Sequence, residues 1–337
     1  MKKIIALIMC VALACSFAAC GSKGNQDAQS DVAASYEKQD INVFMLSGPT
    51  GIGAVNMMQE AENGTAADNY KFSVAAQPTE IVSKISNKEA DIAAVATNLA
   101  ATIYNKTEGK VTVLAVNTLG VLNVVTNGDT TVDSLADLKG KTVYTTGQGA
   151  NPEYIINYLL RKNGVDPSAD LKINFVGDGT ELLTVFATEP NAVVIAPQPV
   201  ATSITTKYDT AKIAVDLTKE WEKTASDSAL MMGCVIVRND FLESNPDAVD
   251  RFMSDYKKSV EKATSDIDTT ADLCEKYGIV AKAAIAKKAI PACNICFVTG
   301  SEMKTKLSGY LQVMFEANPT SVGGKLPADD FYFNYTK

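Results

Sequence analysis

Two stretches of this chain carry residues whose types and spacing suit the capture of a ligand. The first runs Asn42-Val43-Phe44-Met45-Leu46-Ser47-Gly48-Pro49-Thr50-Gly51-Ile52-Gly53-Ala54. It reads as a short buried strand, a loop of small residues and a helix that opens around Pro49 to Gly51. A helix start leaves N–H groups without intrahelical partners and presents the positive end of its dipole, so this loop attracts an anion or an acceptor-rich molecule. A tight strand-to-helix connection with no ligand explains the stretch equally well. A second copy of the pattern, Thr142-Val143-Tyr144-Thr145-Thr146-Gly147-Gln148-Gly149-Ala150-Asn151-Pro152-Glu153, shifts the balance. Two such mouths in one chain suggest two lobes facing one cleft.

Neither loop is a nucleotide motif. Gly48 and Gly53 have the outer spacing of a phosphate-binding P-loop, but Ala54 and Val55 stand where Lys and Ser or Thr are required. Gly147-Gln148-Gly149 begins like a dinucleotide fingerprint, and Pro152 then occupies the third glycine position. The chain contains no histidine, which excludes Ser-His-Asp triads, Cys-His nucleophiles and His-ligated metals. No cofactor and no metal site is expected. A formal charge of −8 argues against nucleic acid as a partner. Of seven cysteines, Cys293-Asn294-Ile295-Cys296 has redox spacing, but with no second pair it reads as buried thiols, a disulfide to Cys274 being the alternative.

The elements that position the mouths alternate strand and helix. After the first loop come a strand at Phe72 to Ala76 ending at Gln77-Pro78, a strand at Asp91 to Ala96 ending at Thr97-Asn98, and a fourth strand at Val111 to Val116. Strands that end in polar residues just before a helix mark the crevice side of an open parallel sheet. Ser47, Thr50, Gln77, Thr97 and Asn98 are thus expected to line one wall, although each alone suits a helix cap or turn equally well. Two apolar runs, Gly120 to Thr126 and Met231 to Val237, bracket a second α/β segment. In it the strand at Ala192 to Ala196 ends at Pro197-Gln198-Pro199. A segment entered and left by two strands is the plan of a hinge. After Arg238 the chain turns helical, and this tail is expected to pack back on the first lobe.

The start of the chain is an export signal. Met1-Lys2-Lys3 precedes an apolar run from Ile4 to Ala19 that is short for a membrane span. Phe17-Ala18-Ala19-Cys20-Gly21-Ser22 resembles a bacterial lipobox, with Cys20 as the acylated residue. Residues 21–40 then form a flexible tether, and the body of about 300 residues is near the size at which one core divides into two.

The lipobox-like start, the loop at Ser47 to Gly53, the Asp91-Ile92-Ala93 strand and Ser134-Leu135-Ala136-Asp137-Leu138-Lys139-Gly140-Lys141-Thr142-Val143 resemble ABC-transporter solute-binding lipoproteins of the nitrate, sulfonate, taurine and pyrimidine-precursor group. The resemblance covers nearly all of residues 41–337. It implies an α/β, two-lobed type II periplasmic-binding-protein fold, each lobe a mixed, mostly parallel sheet flanked by helices, joined by two hinge strands. The expected division is a signal peptide at 1–19, a lipidated Cys20 and tether at 20–40, a discontinuous first lobe at 41–122 plus 234–337, and a second lobe at 123–233. The resemblance implies a non-enzymatic monomer outside the cytoplasm, lipid-anchored to the bacterial membrane, that delivers a small molecule to an ABC permease. The expected ligand-binding set is Ser47, Gly48, Pro49, Thr50, Gly51, Gln77, Thr97, Asn98, Thr146, Gly147, Gln148, Gly149, Asn151 and Gln198.

Relatives with this fold include enzymes of thiamine-precursor synthesis that draw on a histidine, a branch this chain does not reach. None of its three arginines, Arg161, Arg238 and Arg251, falls in an expected mouth, so no bidentate carboxylate clamp is foreseen. A sulfonate, another compact oxyanion or a neutral heterocycle fits better, with Tyr144 and Tyr154 placed to stack on a ring. Two other readings stand: an enzyme on the same scaffold using Asp178 or Glu181 as acid or base, and a sensor ectodomain.

Overall fold

A computed structural model describes residues 36–225 and 228–335. The expected signal peptide, Cys20 and most of the expected tether therefore lie outside the described residues. The chain opens with β1 (Asp40–Leu46), α1 (Pro49–Ile52), α2 (Val55–Glu62), β2 (Asn69–Ala75), α3 (Pro78–Ser86), β3 (Ile92–Ala96), α4 (Thr97–Lys106) and β4 (Val111–Thr118). A middle section follows: β5 (Leu122–Thr126), β6 (Thr142–Thr145), α5 (Asn151–Lys162), β7 (Lys172–Phe175), α6 (Gly179–Thr188), β8 (Val193–Pro197), α7 (Val200–Lys207), β9 (Lys212–Asp216) and α8 (Leu217–Thr224). The chain ends with β10 (Gly233–Arg238), α9 (Asn239–Ser244), α10 (Pro246–Ser265), α11 (Ile267–Lys276), α12 (Ala283–Ala289), β11 (Ile295–Val298) and α13 (Gly300–Ala317).

These strands make two mixed sheets, ordered β11-β4-β10-β3-β1-β2 and β7-β6-β8-β5-β9. In the first, β2, β1 and β3 run parallel and β10 is antiparallel to β3 and β4. In the second, β7, β6 and β8 run parallel and β5 is antiparallel to β8 and β9. The chain passes from one sheet to the other between β4 and β5, and returns before β10. The middle section thus forms the second sheet with its helices.

Local chemistry explains the strand ends. Pro49, Pro78 and Pro246 sit in first helical turns, where a missing N–H costs nothing. β3 is apolar along its whole length because both its faces are covered. At the entry to β6 the Asp137 carboxylate accepts from the N–H groups of Asp133 and Ser134 and from the Ser134 hydroxyl. Gly140, at φ 75°, then turns the chain in a region that glycine alone enters without strain.

The tail differs from expectation. Most of it packs on the first sheet, α10 covering α2 through Val249, Phe252, Met253 and Tyr256. α13 instead touches both β4 and α5. Its Tyr310 ring lies 5.3 Å from that of Trp221 on α8, which in turn lies 5.0 Å from Tyr158 on α5. The apolar side of α5 and the apolar side of β3 and β4 accordingly share one continuous core with α13. α7, β9 and α8 had no expected counterpart. The thiols of Cys234, Cys274, Cys293 and Cys296 are free, as the reading of ordinary buried thiols required.

Candidate functional site

Helices α1, α3 and α4 begin directly after the carboxyl ends of β1, β2 and β3, and α5 begins after the end of β6. Their first turns meet at one cavity of about 420 Å³, a size suited to a small metabolite. Pro49 and Thr50 come from α1, Pro78 from α3, Asn98 from α4, and Gly149 to Pro152 from the start of α5. Thus helix ends belonging to both sheets face one space.

The electrostatics of that space are set by backbone. Among the described residues no Asp, Glu, Lys or Arg lines it. α1 and α4 carry neither a side-chain cap nor an acid in the first turn, although Gly51 N–H donates to Gly48 O and Thr97 N–H to Met232 O, so their positive dipole ends lack a charged partner. α5 is different: the Glu153 carboxylate accepts from Gly149 N–H at 2.6 Å and partly neutralises that end. Around these ends stand Thr50, Thr102, Thr118 and Tyr154, with the apolar residues Leu99, Val121 and Met232; the Thr102 and Thr118 hydroxyls donate to Asn98 O and Asn117 Oδ1.

Each expected residue has a definite place. Pro49, Thr50, Asn98, Gly149 and Asn151 line the cavity. Ser47 N–H bonds to Ala75 O, and Gly48, at φ 85°, donates its N–H to Ile279 O at 2.9 Å. Gly51 is packed so closely that an added Cβ would stand 2.6 Å from Leu46 O and 2.7 Å from Ile279 Cδ1. Gln77 is the exposed residue before α3. Thr97 is buried, with its hydroxyl donating to Met231 O at 2.6 Å. Thr146, Gly147 and Gln148 belong to the turn before α5 but do not border the cavity. Gln198 is buried, and its Oε1 accepts from the N–H and hydroxyl of Thr202. Tyr144 lies away from the cavity, in a groove at the far end of β6 and β8, so only Tyr154 could stack on a bound ring.

Asn151 is held by protein partners on both sides of its amide. Its Oδ1 accepts from the buried Tyr310 hydroxyl at 3.0 Å, and its Nδ2 donates to Met232 O at 3.4 Å. The same Met232 carbonyl accepts Thr97 N–H. One amide thereby ties the start of α5 to α13 and to the segment that returns to the first sheet.

Thr320 and Ser321 complete the wall and escaped the sequence reading. They lie in a single 3-10 turn, Pro319–Val322, held on α4 by Asn98 Nδ2 to Ser321 O and by Asn105 Nδ2 to Val322 O. Gly323, at φ 83°, lets this turn approach so closely that a Cβ would stand 2.9 Å from Thr102 Cα. Pro319 as a first-turn residue and the Gly323-Gly324 stop signal the turn in sequence, but nothing signals its contact with α4.

The family model described as NMT1/THI5 like matches residues 71–269, a span that takes in the whole second sheet and β3, β4 and β10 of the first. The chain belongs to the NMT1/THI5-like family. No curated protein sequence matches it. Solved structures do. An ABC transporter protein from Parabacteroides distasonis has 23% identity and a TM-score of 0.74, covering 88% of this chain and 99% of that one. The periplasmic aliphatic sulphonate binding protein SsuA of Escherichia coli has 10% identity and a TM-score of 0.71, over 89% and 94% of the two chains. The alkanesulfonate-binding SsuA of Xanthomonas axonopodis pv. citri, bound to MOPS, has 10% identity and a TM-score of 0.63, over 87% and 96%. At these identities the likeness establishes the periplasmic-binding-protein fold of this NMT1/THI5-like chain.

Proposed function

We propose that this protein is an extracytoplasmic solute receptor that closes two lobes, 41–122 plus 234–337 and 123–233, over a small polar molecule and passes it to an ABC importer, performing no chemistry of its own. The export signal and a lipid anchor at Cys20 belong to this proposal, as does a monomeric state. The observation that carries it is the meeting of helix N-termini from both sheets at one chamber that, among the described residues, no Asp, Glu, Lys or Arg lines. Such a chamber holds a guest through fixed N–H dipoles and hydroxyls, which suits a compact oxyanion or a neutral heterocycle rich in acceptors. The sulfonate-binding names of the structural neighbours agree with the first of these.

An enzyme on this scaffold has less support. Asp178 spends its carboxylate capping α6 through the N–H groups of Thr180 and Glu181, and Glu181 accepts from Gly177 N–H at 2.7 Å. Both are exposed helix-start residues with structural partners.

Native mass spectrometry of freshly purified protein tests the receptor reading, since a retained small molecule is expected and should leave unaltered. Thr50→Asp then separates the ligand classes. A carboxylate about 6 Å from a bound anion costs about 2–3 kcal/mol at an effective dielectric of about 20, or roughly 30- to 150-fold in Kd. A neutral ligand should lose far less. Protein that retains nothing and shows no thermal shift with methanesulfonate, MOPS, taurine or pyrimidines would count against the proposal.

A further inference from the structure

Between the pairs Val116 with Cys234 and Thr118 with Gly233, β4 carries one residue more than its neighbour β10. The extra residue is Asn117, and a bulge of this kind re-aims a side chain. The Asn117 side chain is buried and fully partnered. Its Nδ2 donates to Thr50 O of α1 and to the Tyr256 hydroxyl of α10, both at 2.9 Å. Its Oδ1 accepts from the Thr118 hydroxyl at 3.1 Å. Gly233 leaves room for it, since a Cβ there would stand 2.7 Å from Asn117 Oδ1. Thr50 and Thr118 both line the chamber. With four residues α1 is too short to hold its own shape, and among the described residues Asn117 is the one side chain that bonds a carbonyl within it.

We infer that Asn117 is a positioning residue of the chamber: from the bulge, its amide holds the Thr50 turn of α1 and the Thr118 hydroxyl in one fixed relation. It thereby ties the chamber wall to the strand on which the chain leaves for the second sheet. β4 is that strand, and Gly233, opposite, opens the strand on which the chain returns. A shift of β4 against β10 displaces the amide and carries Thr50 with it. The use of the chamber for cargo rests on the proposed function, whereas the hold on α1 can be read without a ligand.

Hydrogen exchange of the full chain, read on a peptide covering residues 47–54, tests the role. Asn117→Asp keeps the size of the side chain and, buried with no cationic partner, titrates above the ordinary carboxylate range. At about pH 8 the ionised group offers Thr50 O no donor, and exchange of 47–54 should rise about tenfold over the parent. At about pH 5 the neutral acid donates again and most of the protection should return. Tyr256 and its neighbours Cys234 and Cys296 are pushed upward by burial and stay neutral over this interval. Gly233→Ala displaces the amide from the far side and should loosen the same peptide at both pH values. Peptides from α5 and β8 should exchange as in the parent. Unchanged exchange of 47–54 in either variant, equal loosening of Asn117→Asp at the two pH values, or loss of protection spread over both sheets overturns the inference. Calorimetry with methanesulfonate reads the chamber itself: Asn117→Asp should bind it about tenfold more weakly at the higher pH while the parent stays level. A level affinity in the variant as well would sever Asn117 from the chamber and overturn its role there. Parent protein that ignores methanesulfonate bears on the receptor reading alone, and the exchange result still decides the hold on α1.

Discussion

Asn151 was expected to face the ligand, and its amide is instead engaged by Tyr310 and Met232, so the first prediction concerns that tie. Tyr310→Phe removes one hydroxyl and leaves the ring packing beside Trp221 in place. Burial pushes the Tyr310 phenol far above its ordinary range, so the group is a neutral donor throughout the accessible pH range. Deleting a neutral buried bond and leaving Asn151 Oδ1 without a partner costs about 1–3 kcal/mol. For a body of this size that corresponds to a fall in Tm of roughly 2–8 °C. Asn151→Ala removes both bonds of the amide, and the double variant should show a coupling of about 1 kcal/mol. The assay is urea unfolding followed by the emission of Trp221, the only tryptophan of the chain, which is fully buried with its Nε1 donating to Ser228 Oγ. Additive single effects, or a Tyr310→Phe protein as stable as its parent, would refute the assignment of Asn151 as a tie between α5 and α13.

Further expected outcomes concern charge, thiols and packing. Among the described residues no Asp, Glu, Lys or Arg lines the chamber and the chain has no histidine, so Kd for its ligand should stay constant from about pH 5 to pH 8 in calorimetry. Stability behaves differently at low pH. The Asp137 carboxyl is held below its ordinary range chiefly by backbone N–H groups, and those of Asp170, Glu62 and Glu89 by backbone or lysine donors. Because these folded values lie below the unfolded ones, their stabilisation is complete above the ordinary carboxylate range and is lost as pH falls through the folded values. Tm should therefore decline below about pH 4. Burial pushes the thiols of Cys274, Cys293 and Cys296 up to about 12 and that of Cys234 higher still, so a disulfide-exchange reagent at pH 7 should label them only after unfolding. Arg251→Met should cost about 3–5 kcal/mol in urea unfolding, because it strands the fully buried Asp68 carboxylate that Arg251 grips at 2.8 and 2.9 Å.

The alternation of strand and helix was legible because breakers punctuate it. Pro49, Pro78 and Pro152 mark helix starts, Gly164 ends α5, and the apolar runs at Ile92 to Ala96 and Val193 to Ala196 have no reading other than covered strands. β9 was missed because Lys212-Ile213-Ala214-Val215-Asp216 exposes Ile213 and alternates over too few residues. α7 was missed because Val200-Ala201-Thr202-Ser203-Ile204-Thr205-Thr206-Lys207 has threonines where an apolar stripe would show. At the site, sequence grammar located the helix mouths but not the aim of their side chains. Thr97 and Gln198 follow strand ends and Asn151 opens α5, as ligand donors would, but the Thr97 hydroxyl, the Asn151 amide and Gln198 Oε1 bond the protein's own backbone and side chains. Conversely, the wall at Thr320 and Ser321 depends on a contact between Asn98 and a residue 223 positions later, which no local pattern encodes.

That late contact has a consequence for how the chamber comes into being. Its lining is gathered from Pro49 to Ser321, so a partly folded chain has no pocket to offer, however well its first sheet is formed. Whatever occupies the space recognises only the finished molecule, and by mass action each occupant holds one copy away from unfolding and proteolysis. Supply of the guest would then govern how long each copy survives as well as how often it is filled.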